Sequence, residues 1–202
     1  MQPASKTDVS IDIRQKILQA ARIRFDQYGY NKTTMAEIAA DTHMSTANLY
    51  RYFKNKQDIA AGYASSLIAE RIEQLRKNVS QEKLSATERL QTYAITTLRY
   101  SYKIASENRK IHELVDAICS DHPEFVHQKI ETETALLADI LIYGNKTGEF
   151  AVDDINVTAS SIHVALILFD VPMYMGLYPL QQFEEKAKAV VQLIIKGIEK
   201  NG

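Results

Sequence analysis

Apolar side chains return at helical intervals along almost the whole chain. From Ser10 onward, Ile13, Ile17, Leu18, Ala21, Phe25 and Tyr28 fall on one stripe, and Gly29 follows where a helix favours a left-handed residue. The polar residues 1–9 before that stripe predict disorder. Thr34-Met35-Ala36-Glu37 has the form of a capping box. It predicts a short helix with Met35, Ile38, Ala39 and Thr42 on one side. His43-Met44 makes a tight link, and Ser45 caps a further helix reaching to about Phe53. Asn55, with Asp58 three residues on, starts a longer helix towards Lys77.

Beyond the polar break NVSQEKLSA, Ser85-Ala86-Thr87-Glu88 is a second capping box. The helix it opens carries Leu90, Tyr93, Ala94, Thr97, Tyr100, Ser101 and Ile104. Asn108 to Ile118 predicts a short helix. Pro123 then sits in the first turn of a helix running to Tyr143, with Gly144 as its stop. After the loop GNKTGEF, two long helices are predicted, Asn156–Gly176 and Pro179–Lys200. The first is apolar almost all round; the second bears Phe183, Ala187, Val190, Val191, Ile194 and Ile198 on one stripe. No strand signal, repeat or low-complexity tract appears, so the expected fold is all-α.

Composition adds constraints. The 202 residues are 46% hydrophobic with seven glycines and four prolines, a globular balance that leans towards helix. No run of about 18 apolar residues free of charge is present, so no membrane span is expected. The start MQPASKTDVS lacks an apolar secretory core, and the single Cys119 cannot form an internal disulfide. A cytoplasmic protein is the expectation. The net charge of −1 argues against a nucleic-acid binder until its distribution is considered. Residues 1–56 hold nine Lys/Arg against five Asp/Glu, whereas residues 57–202 hold fifteen against twenty. A basic head on an acidic body suggests that only the head meets a polyanion, although ordinary charge scatter produces differences of this size.

The stretch MSTANLYRYFKNK, Met44 to Lys56, alternates aromatics with cations and hydrogen-bonding groups. On a helical wheel Leu49 and Phe53 share one face as buried anchors. Ala47 and Arg51 point the other way, flanked by Asn48, Tyr50 and Lys54. Asn pairs bidentately with adenine, and Arg with guanine or a phosphate. Thr33, Thr34, Thr46, Lys56 and the hydroxyls of Tyr50 and Tyr52 suit phosphate oxygens, as do free N–H groups at a helix start such as that capped by Ser45. Two short helices joined by a tight turn describe a helix-turn-helix. A small helical hairpin with half-buried tyrosines fits the same wheel.

The segment ILQAARIRFDQYGYNKTTMAEIAADTHMSTANLYRYFKNKQDI resembles the N-terminal domain of TetR/AcrR-family transcriptional regulators. The likeness rests on the Ala-rich first helix ending at Phe25 and Tyr28-Gly29, on Thr33-Thr34, on Ile38-Ala39, and above all on Leu49-Tyr50-Arg51-Tyr52-Phe53 followed by Lys56. It covers about a quarter of the chain. The resemblance implies that Thr34, Thr46, Asn48, Tyr50, Tyr52 and Lys56 occupy positions that touch DNA. One departure is His43, where the family usually has Gly; a positive φ there is tolerated by His better than by most residues, but not freely. The implied architecture is a three-helix helix-turn-helix domain over residues 1–56, a connecting helix to about residue 77, and a helical effector-binding and dimerisation domain over 78–202.

The resemblance further implies a homodimer built through the two C-terminal helices, a near-palindromic double-stranded operator and a small-molecule effector. Candidates for the effector site are Tyr93, Thr97 and Tyr100 on one helix face, with His163 and Asp170 seven apart on an otherwise apolar helix. Buried tyrosines that merely find a partner, or a dimer seam at His163 and Asp170, account for the same residues. Pro172 interrupts or bends that last helix. His112, His122 and His127 near Cys119 lack the paired spacing of a zinc site, so no metal or cofactor is expected. No nucleophile motif, phosphate loop or carboxylate pair points to an enzyme, and Glu131/Glu133 and Glu184/Glu185 read as solvated helix faces. The expected function is a ligand-responsive transcriptional repressor. Its rivals are a helical small-molecule or interaction module that does not use DNA, and a DNA-bound regulator without an effector.

Overall fold

The structure, a computed structural model, describes residues 6–200, with side chains from Asp12 onward. Among these residues it contains nine α-helices: α1 (Lys6–Tyr28), α2 (Met35–Asp41), α3 (Thr46–Leu49), α4 (Lys56–Val79), α5 (Ala86–Glu107), α6 (Ile111–Asp121), α7 (Pro123–Thr147), α8 (Ile155–Ala165) and α9 (Leu180–Ile198). Two short 3-10 turns, Ile167–Phe169 and Pro172–Tyr174, lie between α8 and α9. The fold is all-α. Residues 6–9, expected to be disordered, form the first turn of α1, while residues 1–5 of that expectation lie outside the described residues.

The chain divides into two compact units. One runs up to Leu67 and also takes in Glu107–Val126; the other holds Ile68–Ser106 and the chain from His127 on. Segment 107–126, which a cut at residue 78 would give to the body, is therefore part of the first unit. Three bonds show why: Asn108 Nδ2 donates to Asp26 (2.7 Å), Lys110 Nζ to the Tyr28 carbonyl (2.8 Å), and the Asn31 N–H to Glu113 (2.8 Å). The core of this unit includes Ile17, Ala21, Phe25, Ile38, Leu49, Phe53 and Ile59. In the second unit Leu75, Leu90, Leu98, Leu137, Leu141, Phe183 and Val191 are wholly buried, joining α4, α5, α7 and α9 around one apolar centre.

Three local expectations need correction. The helix expected over 156–176 ends at Ala165 and gives way to the two 3-10 turns. Pro172 has no N–H to give, and Val171 before it is extended (φ −92°, ψ 120°). The helix placed at 108–118 runs instead from Ile111 to Asp121. Finally, Gly144 does not stop α7, which continues to Thr147. A Cβ on Gly144 would lie 2.0 Å from the Phe150 ring, so glycine is there to let that ring pack against the helix. The turn comes at Gly148 (φ +77°).

The loop after α7 also ties elements together. The Glu149 carboxylate accepts the N–H groups of Ala86 (2.9 Å) and Thr87 (3.2 Å) at the start of α5. Its backbone carbonyl accepts the Lys200 N–H (3.1 Å), and the Ala151 N–H donates to the Ile198 carbonyl (2.8 Å). The end of α9 is thereby paired to residues 149–151.

Candidate nucleic-acid interface and a buried charge ring

The first unit builds its turn from a backbone device that suits one left-handed residue. After α2, Met44 N–H bonds the Ala39 carbonyl (2.8 Å) and His43 N–H the Ala40 carbonyl (3.0 Å). This is the paired bonding of a Schellman motif, and it places His43 at φ 54°. The departure from glycine noted in the sequence thus leaves the turn intact, with a histidine bearing the left-handed strain. At the other end of α2 the capping box is complete. Thr34 Oγ1 accepts the Glu37 N–H (3.3 Å), and the Glu37 carboxylate accepts the Thr34 N–H (2.9 Å).

Ser45 then caps α3 through its hydroxyl oxygen, which accepts the Asn48 N–H (3.2 Å). The helix is shorter than expected: α3 spans Thr46–Leu49, and Tyr50 to Phe53 continue as tightened turns, with Arg51 N–H on Asn48 and Tyr52 N–H on Leu49. Leu49 and Phe53 are buried, as the wheel required. Arg14 on α1 donates to the Tyr52 carbonyl and stacks over the Phe53 ring (4.2 Å). Arg24 ties α1 to α2 by pairing with Asp41 and Glu37. Its hydrogen bond holds the Asp41 carboxyl below the usual carboxylate range.

Held in this way, the short helix presents Ser45, Ala47, Tyr50, Arg51 and Lys54 to solvent, with Thr46, Asn48 and Tyr52 half-buried beside them. Among the described residues the side chains of Asn48, Tyr50, Arg51 and Lys54 have no hydrogen-bond or ionic partner. Two expected contact residues are otherwise engaged. Thr33 is buried, and its hydroxyl donates to the Gly29 carbonyl (2.9 Å), so it supports the loop and faces no partner molecule. Lys56 donates to the Tyr30 carbonyl (2.8 Å) and lies over its ring; partial burial pulls its pKa down. Its ammonium is tethered, though two of its three protons are uncommitted in that bond.

In the second unit, the expected effector residues Tyr93, Thr97, Tyr100, His163 and Asp170 are all buried. Two of them belong to a charged cluster completed by Arg71, Lys129 and Glu133, of which the sequence names only Glu133, as part of a solvated face. Arg71 of α4 meets Glu133 Oε1 (3.1 Å) and Asp170 Oδ1. Lys129 Nζ meets Glu133 Oε2 (2.8 Å) and Asp170 Oδ2 (2.6 Å). His163 Nε2 lies 3.2 Å from Glu133 Oε2. Two carboxylates and two cations thus close a ring in which each carboxylate offers one oxygen to each cation. Burial pushes the Asp170 carboxyl up, but Arg71 and then Lys129 outweigh it and hold it at about 2. Burial likewise works against the charged Arg71, and Asp170 and Glu133 more than restore it. The Tyr93 phenol is pushed up, first by burial and then by Glu133.

Glu133, read from sequence as part of a solvated face, is wholly buried. The signal was present: Glu133 shares a stripe with Leu136, Leu137, Ile140 and Leu141, and Arg71 falls between Ile68, Ile72 and Leu75. A charge on an apolar stripe marks a buried ion.

Exposed cations beside a half-buried amide on a capped helix-turn-helix have the form of a DNA-binding head. Residues 17–63 match the model of the bacterial regulatory proteins of the tetR family, and residues 86–191 match the tetracyclin repressor-like C-terminal domain. The chain therefore belongs to the TetR family of bacterial transcriptional regulators. The helix-turn-helix transcriptional regulator YhgD of Bacillus subtilis is 26% identical to it over 96% of this chain and the whole of that protein. A TetR-family regulator from Mesorhizobium loti shares the fold with a TM-score of 0.78 at 20% identity, over 98% of this chain and all of that one. So does FadR from Bacillus subtilis, solved in complex with stearoyl-CoA, with a TM-score of 0.66 at 19% identity over 91% of this chain and 98% of that one. No described helix is long and apolar enough to cross a membrane.

Proposed function

We propose that the protein is a dimeric, ligand-responsive repressor of a near-palindromic operator. The observation that carries this is the row of exposed Ala47 and Arg51 with the half-buried, unpartnered Asn48 beside them, on a segment anchored by Leu49 and Phe53. Ala47 permits close approach, Asn48 and Arg51 read base edges with Thr46 beside them, and Thr34, Ser45, Tyr50, Tyr52, Lys54 and Lys56 hold phosphates. A homodimer through α8 and α9 is favoured by Val157, Val164 and Leu193, which are 62%, 65% and 70% exposed and have no cover within the chain. Two such heads fit half-sites about 34–36 Å apart, one turn of B-DNA.

The effector site is assigned to the body around Tyr93, Thr97, Tyr100, His163 and Asp170; that a FadR of similar fold was solved with stearoyl-CoA supports a small-molecule ligand for this chain. Such a ligand alters operator binding only through different affinity for two states of the protein. Selection of bound sites from random DNA tests the proposal. An inverted repeat with one-turn half-site spacing is the expected result; recovery of no preferred sequence would overturn it.

A further inference from the structure

The buried ring raises a question that stability does not answer. Apolar side chains of the same volume usually serve a core as well as buried ion pairs do. Its four charged members are also unequal. The side chains of Arg71, Glu133 and Asp170 are at most 6% exposed, whereas that of Lys129 is 21% exposed. Lys129 thus reaches in from the surface on a long, flexible stem. Its ammonium occupies a position between two carboxylate oxygens at 2.6 and 2.8 Å, with His163 Nε2 close to one of them.

We infer that Lys129 is a tethered stand-in, and that the slot it fills between Glu133 and Asp170 is a binding site for a ligand bearing one primary ammonium group. Charge balance selects that ligand. With Arg71 fixed inside, the two carboxylates need one further positive charge, so a monovalent ammonium replaces Lys129 without changing the net charge of a buried ring. A divalent ion held by Glu133, His163 and Asp170, whose ligand atoms lie within 4.8 Å of one another, would leave one positive charge in excess beside Arg71. Geometry selects as well. Both acceptors stand at hydrogen-bond distance from one nitrogen, so N–H donors bind where a quaternary ammonium cannot. Because Lys129 is held four residues from Glu133 on the same helix, it competes at high effective concentration and weakens any free amine in proportion. This assignment deepens the proposed effector site and rests on that reading, but its test needs no DNA.

The protein is measured with butylammonium, tetramethylammonium, sodium and cobalt(II) chlorides at constant ionic strength, by thermal melting and by calorimetry. Lys129→Met empties the slot while keeping an unbranched stem. Its melting temperature is expected to rise by several degrees with butylammonium, with no rise for tetramethylammonium beyond that for sodium. Calorimetry should show butylammonium binding at least tenfold tighter than in the wild type, and adding Asp170→Asn should abolish it. Equal responses to butylammonium and sodium would overturn the inference, as would one equivalent of cobalt bound with tetrahedral visible bands. Should Lys129→Met not fold, Lys129→Arg keeps the charge and fills the slot more firmly. It is expected to bind butylammonium more weakly than the wild type does, and equal or tighter binding overturns the proposal. Loss of operator binding with amine binding intact would fault the repressor assignment alone.

Discussion

The two units use charge in opposite ways. On the recognition segment Arg51 and Lys54 stand exposed with no partner, next to an equally unpartnered Asn48. In the body the buried Arg71 and the half-buried Lys129 are matched by the buried Glu133 and Asp170. The first arrangement costs little to maintain and leaves binding capacity for a polyanion. The second is stable only while every charge has its counterpart. An exposed charge is thus available to a partner, whereas a buried one is committed to the fold until something of equal charge replaces it.

The largest effect should come from breaking the ring. Arg71→Ala leaves two carboxylates facing one lysine and is expected to cost about 3–5 kcal/mol in chemical denaturation. A cost no larger than that of a typical surface substitution would remove the contrast between the units. Acid should act on the same ring. Asp170 titrates at about 2 in the fold against roughly 3.9 when unfolded. Its contribution is complete above about pH 4 and is lost as pH falls through about 2, so wild-type stability should decline over that interval more than that of Asp170→Asn.

Smaller effects are expected in the head, on recognition more than on stability. Asn48→Ala should reduce discrimination between operator and random DNA by about 1–3 kcal/mol while leaving the melting temperature unchanged. Next comes His43, whose left-handed backbone costs a side chain about 1–2 kcal/mol. His43→Val should lower stability and His43→Gly should not, as read by thermal melting. The smallest is Lys54→Ala, which should weaken specific and random binding alike and flatten the salt dependence by about one unit. Lys54 is a cleaner probe than Lys56, because Lys56 also braces the Tyr30 carbonyl.

What the sequence disclosed follows from the range of the interactions. The caps at Thr34, Ser45 and Ser85, the left-handed Gly29 and the strained His43 are set within a few residues of each other, and all five are legible in the chain. The anchors Leu49 and Phe53 were legible because a short amphipathic helix has one place to put them. Gly144 misled because its reason is the Phe150 ring, and the same residue type marks both a stop and a close approach. The break before Pro172 was foreseen as a kink, yet the helix ended earlier. Glu133 reads as a solvated face, and Arg71 and Lys129 pass unremarked, because Arg71 and Asp170 come from segments other than α7: a single wheel can pair Lys129 with Glu133 but does not show the charges that meet them from elsewhere.

The pairing of residues 149–151 with 198–200 has a practical consequence for anyone altering the end of α9. Lys200 is stitched to the loop that also closes the start of α5, so residues 198–200 act as a clasp on that loop. Replacing residues 199–200 with a foreign segment that cannot offer the Lys200 N–H would unfasten Glu149 from one of its neighbours and loosen the loop that caps α5.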